Sequence, residues 1–209
     1  MNCKANSNMH YLTDGPTTFQ HLFLFAHGAG APMDTPFMNA VARGMAERGI
    51  RVVRFEFPYM ARRRQGGKKG APDRQPVLLD AWREVVAEHG GGEKVVVGGK
   101  SMGGRMASMI ADEVGARGLI CFGYPFHPPA SPERLRIAHL ENLRTPALII
   151  QGTRDVFGRP DEVGRYPLSR AIRMEWIEGG DHSLKGGLPR AVELATMFTF
   201  GHERTSFFP

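Results

Sequence analysis

The sequence predicts an α/β fold: a mainly parallel sheet of six or seven strands with helices on both faces. Three observations carry this. Short apolar, β-branched runs alternate along the chain with stretches of helical periodicity. The connections between successive strands are too long for hairpins. Several strand runs end in glycine-rich turns, as at Gly28–Gly30, Gly98–Gly104 and Gly152. Parallel strands need crossover helices, and those helices cover the sheet.

Residues 1–19 are polar and without clear period, and are read as a loose lead-in with room for one short strand; residues 20–209 are read as one domain. His21 to Ala26 is a compact strand leading into His27-Gly28-Ala29-Gly30. Asp34 or Thr35 is placed to cap a helix carrying Phe37, Met38, Val41, Ala42 and Met45 on one face, and Gly49 ends it. Ile50 to Phe57 is the next strand, closed by Pro58. A basic, glycine-containing loop runs over 59–75. Pro76 suits the first turn of a helix reaching His89, and Gly90-Gly91-Gly92 stops it. Lys94 to Val97 is a strand, and Ser101 to about Val114 the helix after it. Gly118 to Phe122 is a buried strand. Prolines 125, 128 and 129 exclude regular structure from 123–130. A short helical piece is expected over Pro132 to Leu140, a strand over Pro146 to Gln151, a helix over Asp161 to Arg170, a strand over Ala171 to Ile177 and a final helix over Leu188 to Phe200.

The 209 residues suffice for a sizeable core without covalent staples. Two cysteines give no disulfide framework and no cysteine metal site. No apolar run approaches bilayer length and no secretory leader is evident, so a cytoplasmic protein is the default expectation. The net charge of +6 invites a nucleic-acid reading. The excess is local: Arg62, Arg63, Arg64, Lys68, Lys69 and Arg74 share one segment. No aromatic residue interleaves them after Tyr59, which argues against a stacking surface for single strands. A solvated loop, or a collar for an anionic substrate, are the other readings.

Chemistry concentrates at Val95-Val96-Val97-Gly98-Gly99-Lys100-Ser101-Met102-Gly103-Gly104. A β-branched run ends in Gly-x-Ser-x-Gly and a helix follows, the form of a nucleophile elbow. In a chain with 26 glycines the motif alone is weak, and its strand-to-helix context is what gives it weight. In a parallel sheet the segments after successive strands meet along one edge. The turn His27–Gly30, Ser101, Asp155 and His182 all occupy such segments, in the chain order Ser, Asp, His found in α/β-hydrolases.

Each residue has a physical task. Ser101 is the candidate nucleophile and needs a base, because a free hydroxyl attacks poorly at neutral pH. His182 is the candidate base, since imidazole titrates near working pH. Asp155 is the candidate orienting carboxylate. The backbone N–H groups of Met102 and Ala29 are the candidate oxyanion donors. His127, His139 and His202 are rival histidines; Asp181 and Asp161 are rival acids, with Asp161 reading better as a helix cap. Lys100 and Arg154 each precede a candidate site residue, either as edge charges or as groups favouring an anionic substrate, with Arg105 in the same role. Tyr124 and His127 are candidate substrate contacts in the Pro-rich segment, which with the basic loop is expected to frame the pocket. No cofactor or metal is expected, and the expected partner is a small-molecule acyl substrate.

Phe25-Ala26-His27-Gly28-Ala29-Gly30, Phe57-Pro58-Tyr59-Met60, Pro72-Asp73-Arg74, Gly99 to Arg105, Gly123-Tyr124-Pro125-Phe126-His127-Pro128 and Gln151-Gly152-Thr153-Arg154-Asp155 occur together. In these motifs, from about residue 20 to 200, the chain resembles the α/β-hydrolase-like proteins grouped with testis-expressed protein 30 and the KAT8 regulatory NSL complex subunit 3, whose bacterial members are called dienelactone-hydrolase-type. The resemblance implies a compact core without a large cap domain, and a triad on Ser101, Asp155 and His182. Dienelactone hydrolases proper use a cysteine nucleophile, so dienelactone chemistry is not implied here. Some eukaryotic relatives serve as complex subunits, which implies a second function class: a non-catalytic binding or scaffold protein keeping the fold.

Overall fold

In the computed structural model, residues 9–68 and 70–201 are described. Seven strands form a single sheet: β1 (Tyr11–Asp14), β2 (Leu22–Ala26), β3 (Arg51–Phe55), β4 (Val95–Lys100), β5 (Gly118–Phe122), β6 (Ala147–Gly152) and β7 (Ile172–Ile177). Their spatial order is β1-β3-β2-β4-β5-β6-β7. All neighbours are parallel except β1, which pairs antiparallel with β3 at the sheet edge.

The helices are α1 (Pro36–Ala46), α2 (Pro58–Arg64), α3 (Gln75–Glu88), α4 (Met102–Ile110), α5 (Pro160–Val163) and α6 (Leu188–Gly201). The strands are apolar on both faces because both are covered. Phe23, Phe25, Val96, Ile120, Phe122, Leu148 and Ile150 meet α1 and α6 through Met38, Val41, Met45, Ala191 and Ala195. Leu22, Leu24, Val95, Val97, Leu119, Cys121 and Ile149 face α3 and α4 through Trp82, Val85, Met106 and Ile110. The period of two along each strand sorts these side chains between the layers.

Four expectations need correcting. The basic segment is not a loop throughout: Pro58 opens α2, and Tyr59 and Met60 bury one side of it. Proline's fixed φ favours the first helical turn, and no glycine interrupts the chain until Gly66. The segment 132–140 contains turns but no helix; its backbone is held by tertiary bonds, such as Arg136 N–H to the Phe126 carbonyl at 2.8 Å. The helix expected from Asp161 to Arg170 is the single turn α5, stopped at Gly164. Asp161 lies inside that turn rather than capping it, and Glu162 accepts from the Arg159 N–H at 2.8 Å. Of the two candidate caps of α1, Thr35 is the one used, accepting from Met38 N–H at 3.3 Å. His202 lies outside the described residues.

Candidate functional site

Residue 101 stands between β4 and α4 with φ 50° and ψ −116°. A non-glycine residue there is strained by about 1–3 kcal/mol, so surrounding structure must hold it. Part of that hold is the Ser101 N–H bond to the Phe122 carbonyl at 3.0 Å. Gly103 supplies the rest of the fit. A Cβ on it would lie 2.5 Å from the Ala26 carbonyl oxygen and 2.6 Å from that of His27. Only glycine lets the start of α4 press onto the end of β2, which brings the His27–Gly30 turn beside Ser101.

The Ser101 hydroxyl lies 2.9 Å from His182 Nε2. On the other side of the ring, His182 Nδ1 lies 2.8 Å from Asp155 Oδ2. A carboxylate only accepts, so Nδ1 carries the proton and Nε2 is free to accept from the hydroxyl. The Phe157 ring packs on the imidazole, with centroids 4.3 Å apart. Asp155 is fully buried and satisfied by two further donors: Gln151 Nε2 at 2.9 Å and the Phe157 N–H at 2.9 Å. Gln151 also joins the Tyr124 backbone, accepting its N–H at 2.7 Å and donating to its carbonyl at 3.1 Å. Gln151 and Phe157 are thus site components that sequence reasoning missed; no motif marks either, although Gln151 ends a strand at the same sheet edge.

Met102 is the first residue of α4, and its N–H has no acceptor within the helix. Ala29 lines the cavity beside Ser101. Its carbonyl accepts from the Tyr59 hydroxyl at 2.9 Å, which pins the peptide chain on that side. His27 is fully buried and braces the same turn. Its Nε2 accepts the Phe57 N–H at 3.1 Å, so Nδ1 donates to the Gly28 carbonyl at 2.7 Å. Burial lowers its pKa, keeping it neutral.

A cavity of about 370 Å³ opens at Ser101 and His182. Its walls are the 28–32 turn, Thr35, Phe37 and Met38, with Lys100 at one side. The Lys100 ammonium donates to the His182 carbonyl and sits 5.4 Å from the Phe37 ring centroid. Burial brings its pKa down to about 8, against the pull of Asp155 and Asp181. Gly123, at φ 67°, makes room for this contact: a Cβ there would fall 2.6 Å from Lys100 Nζ and 2.9 Å from the His182 carbonyl oxygen.

Residues 19–196 match the family model described as an alpha/beta hydrolase domain. The chain belongs to the α/β-hydrolase family. Solved structures of the fold agree. An α/β serine hydrolase homologue from Coxiella burnetii superposes with TM-score 0.70 at 20% identity, covering 90% of both chains. An α/β serine hydrolase without lid from Xanthomonas campestris gives TM-score 0.69 at 20% identity, over 96% of this chain and 91% of the other. A dienelactone hydrolase from Anabaena variabilis gives 0.70 at 18%, over 92% and 91%.

Within this α/β-hydrolase the other sequence-predicted residues fall elsewhere. Tyr124 is fully buried, its hydroxyl donating to the Arg136 carbonyl at 2.9 Å. His127 is buried too, with Nε2 3.6 Å from Glu162. Neither they nor the rest of the Pro-rich segment line the Ser101 cavity, because the aromatic side chains of that segment turn into the core. Arg154 is exposed and fixed by its backbone, N–H to the Gly180 carbonyl at 2.9 Å. The basic segment does not frame the cavity either. Arg64 pairs with buried Glu56 at 2.6 Å and with Asp34 at 3.0 Å. Arg62 pairs with Asp73 at 2.5 Å, and Arg63 lies over the Tyr59 ring at 5.1 Å. These cations anchor α2 instead of collecting at the site. Among the described residues no set of His, Cys, Asp and Glu side chains is gathered to hold a metal ion, and no helix is long and apolar enough to cross a membrane.

Proposed function

We propose that this protein is a cofactor-free serine hydrolase that cleaves a small-molecule ester or thioester through an acyl-enzyme. The observation that carries the reading is the continuous line from the Ser101 hydroxyl through His182 to buried Asp155, with Ser101 held on a strained strand-to-helix turn. In this reading Ser101 is the nucleophile on its elbow and attacks the carbonyl carbon while His182 Nε2 takes its proton. Asp155 holds the ring tautomer and favours the imidazolium. The N–H groups of Met102 and Ala29 receive the oxyanion, aided by the N-terminus of α4. The imidazolium then protonates the leaving oxygen or sulfur, which departs. Water, deprotonated by His182, opens the acyl-enzyme and releases the acid.

The apolar wall of Phe37 and Met38 suits an acyl chain or a ring of modest size. Arg62 and Arg64 of α2 are ion-paired within the protein and do not line the Ser101 cavity, which favours a small-molecule substrate over a nucleic acid. Membership of the dienelactone-hydrolase-type group that includes testis-expressed protein 30 and the KAT8 regulatory NSL complex subunit 3, and a cytoplasmic location, belong to the same proposal.

A fluorophosphonate probe tests it on wild type, Ser101→Ala and His182→Ala. Labelling of wild type that is lost in both folded variants is the expected result. A well-folded wild type that takes no label, and turns over no acyl ester, would remove the hydrolase reading in favour of the non-catalytic binding protein.

A further inference from the structure

A second cavity, of about 240 Å³, is walled by Arg105, Pro128, Arg134, Leu135 and Arg136. It is small beside the roughly 300–1,000 Å³ of pockets that enclose a whole ligand, and so suits a head group. Three of its five walls are cationic. Among the described residues none of the three pairs with a carboxylate, neighbouring Glu133 included. Arg105 reaches only the Gln75 side-chain oxygen, at 3.5 Å, and its buried Nε has no acceptor. A buried guanidinium donor without a partner is costly, and so is the gathering of like charge. Burial, then the nearness of Arg105 and Arg134, lowers the Arg136 pKa.

The site is built from below. The Ser108 hydroxyl donates to the Arg105 carbonyl at 2.7 Å, and the Tyr124 hydroxyl to the Arg136 carbonyl at 2.9 Å. His139 Nε2 lies 2.8 Å from Ser108 Oγ and 3.4 Å from the Tyr124 hydroxyl, tying the two supports together. Burial, with Arg105 beside it, brings the His139 pKa down to about 4, so the ring is neutral. Because the Ser108 proton is directed to the Arg105 carbonyl, His139 donates to Ser108; this Ser–His pair is a prop and not a second nucleophile. The same network explains why Tyr124 is inside the protein and His139 half-buried.

We propose that Arg105, Arg134 and Arg136 form an oxyanion subsite that takes a phosphoryl group. Three forked cations more than offset the charge of a dianion and suit its oxygens in hydrogen-bonding geometry. Arg105 N–H bonds the Ser101 carbonyl at 3.0 Å, so the subsite stands one helical turn from Ser101. A helical side chain leans toward the N-terminus, which carries Arg105 toward the Ser101 end of α4. Resting on the hydrolase reading, the phosphoryl group would be carried by the ester substrate; a free phosphate effector is the other source of the same chemistry.

The test begins with inorganic phosphate, titrated at constant ionic strength and followed by calorimetry and 31P NMR. The proteins are wild type, Arg134→Gln, Arg134→Gln/Arg136→Gln, Ser101→Ala and, as an exposed-charge control outside the cavity lining, Lys68→Gln. Arg134 is exposed, so its substitution leaves the core untouched. Saturable binding is expected in wild type, Ser101→Ala and Lys68→Gln, with about tenfold weakening for each arginine removed. No saturable binding in wild type, or equal binding in the double variant, overturns the proposal. The second arm compares an aryl ester bearing a phosphoryl group with its neutral isostere. A tenfold fall in the ratio of their kcat/KM values in the double variant assigns the anion to the substrate. An unmoved ratio with phosphate binding lost assigns it to a free ion. If Ser101 proves unreactive while phosphate still binds, the hydrolase reading falls and the subsite stands.

Discussion

Gly103→Ala tests how closely the start of α4 must sit on the end of β2. The added Cβ would be 2.5 Å from the Ala26 carbonyl oxygen and 2.6 Å from that of His27, both backbone atoms that cannot rotate away. A relaxed carbon–oxygen contact is about 3.4 Å, so the first turn of α4 must retreat by about 0.9 Å. That turn carries Ser101 and the Met102 N–H, whereas Ala29 and His182 stay with other segments. A displacement near 1 Å between reacting groups costs about 100-fold in rate, or about 2.7 kcal/mol of barrier. Overpacking adds about 1–3 kcal/mol of lost stability. The assay is the second-order rate of fluorophosphonate labelling, read beside the Tm. Gly70→Ala, outside the cavity lining, is the control, since a Cβ there meets nothing within 4 Å. Labelling of Gly103→Ala at the wild-type rate with an unchanged Tm would refute the argument that this contact sets the site.

Two other substitutions address the electrostatics. Asp155→Asn leaves the shape but offers His182 Nδ1 an amide that donates as readily as it accepts, so labelling should fall about 10³–10⁴-fold in a folded protein; a loss under tenfold would mean that His182 keeps its tautomer without the carboxylate. Lys100→Met removes a half-buried charge whose pKa is brought down to about 8 from an ordinary 10.5. Below pH 8 the folded state carries the cost of that charge; between pH 8 and 10.5 the unfolded chain binds the extra proton, so wild-type stability gains as pH rises. The stability of the variant relative to wild type should therefore drop by about 3 kcal/mol from pH 7 to 10.5, read by urea unfolding. A difference constant across that range would place Lys100 in water.

The sheet was legible because both-face burial writes itself as continuous apolar runs, as in Leu22–Ala26 and Val95–Val97. The meeting of Ser101, Asp155 and His182 followed from one inference, that parallel strands deliver their following turns to one edge. The segment 123–140 was not legible in the same way. Its prolines remove periodicity, and without a period the sequence does not say whether Tyr124 and His127 face a ligand or the core. The arginines of α2 misled for another reason. Their partners Glu56, Asp34 and Asp73 lie 8, 30 and 11 residues away, and a local count of charge does not see ion pairs made in space. Gln151, which steadies Asp155, carries no signal beyond its position at the end of β6.

Ser101 and His182 are 81 residues apart in sequence. Between them the chain must lay down β5, β6 and β7 in order before the imidazole has a place to stand. Contacts of such long range form late, after the loops between them have closed. On the proposed function, a partly synthesised or partly folded chain therefore holds an ordinary, inert serine, and reactivity would arrive only when the last strand docks. Covalent labelling of Ser101 during refolding would then serve as a clock for completion of the sheet, timed against the earlier burial of Trp82 between α3 and β3.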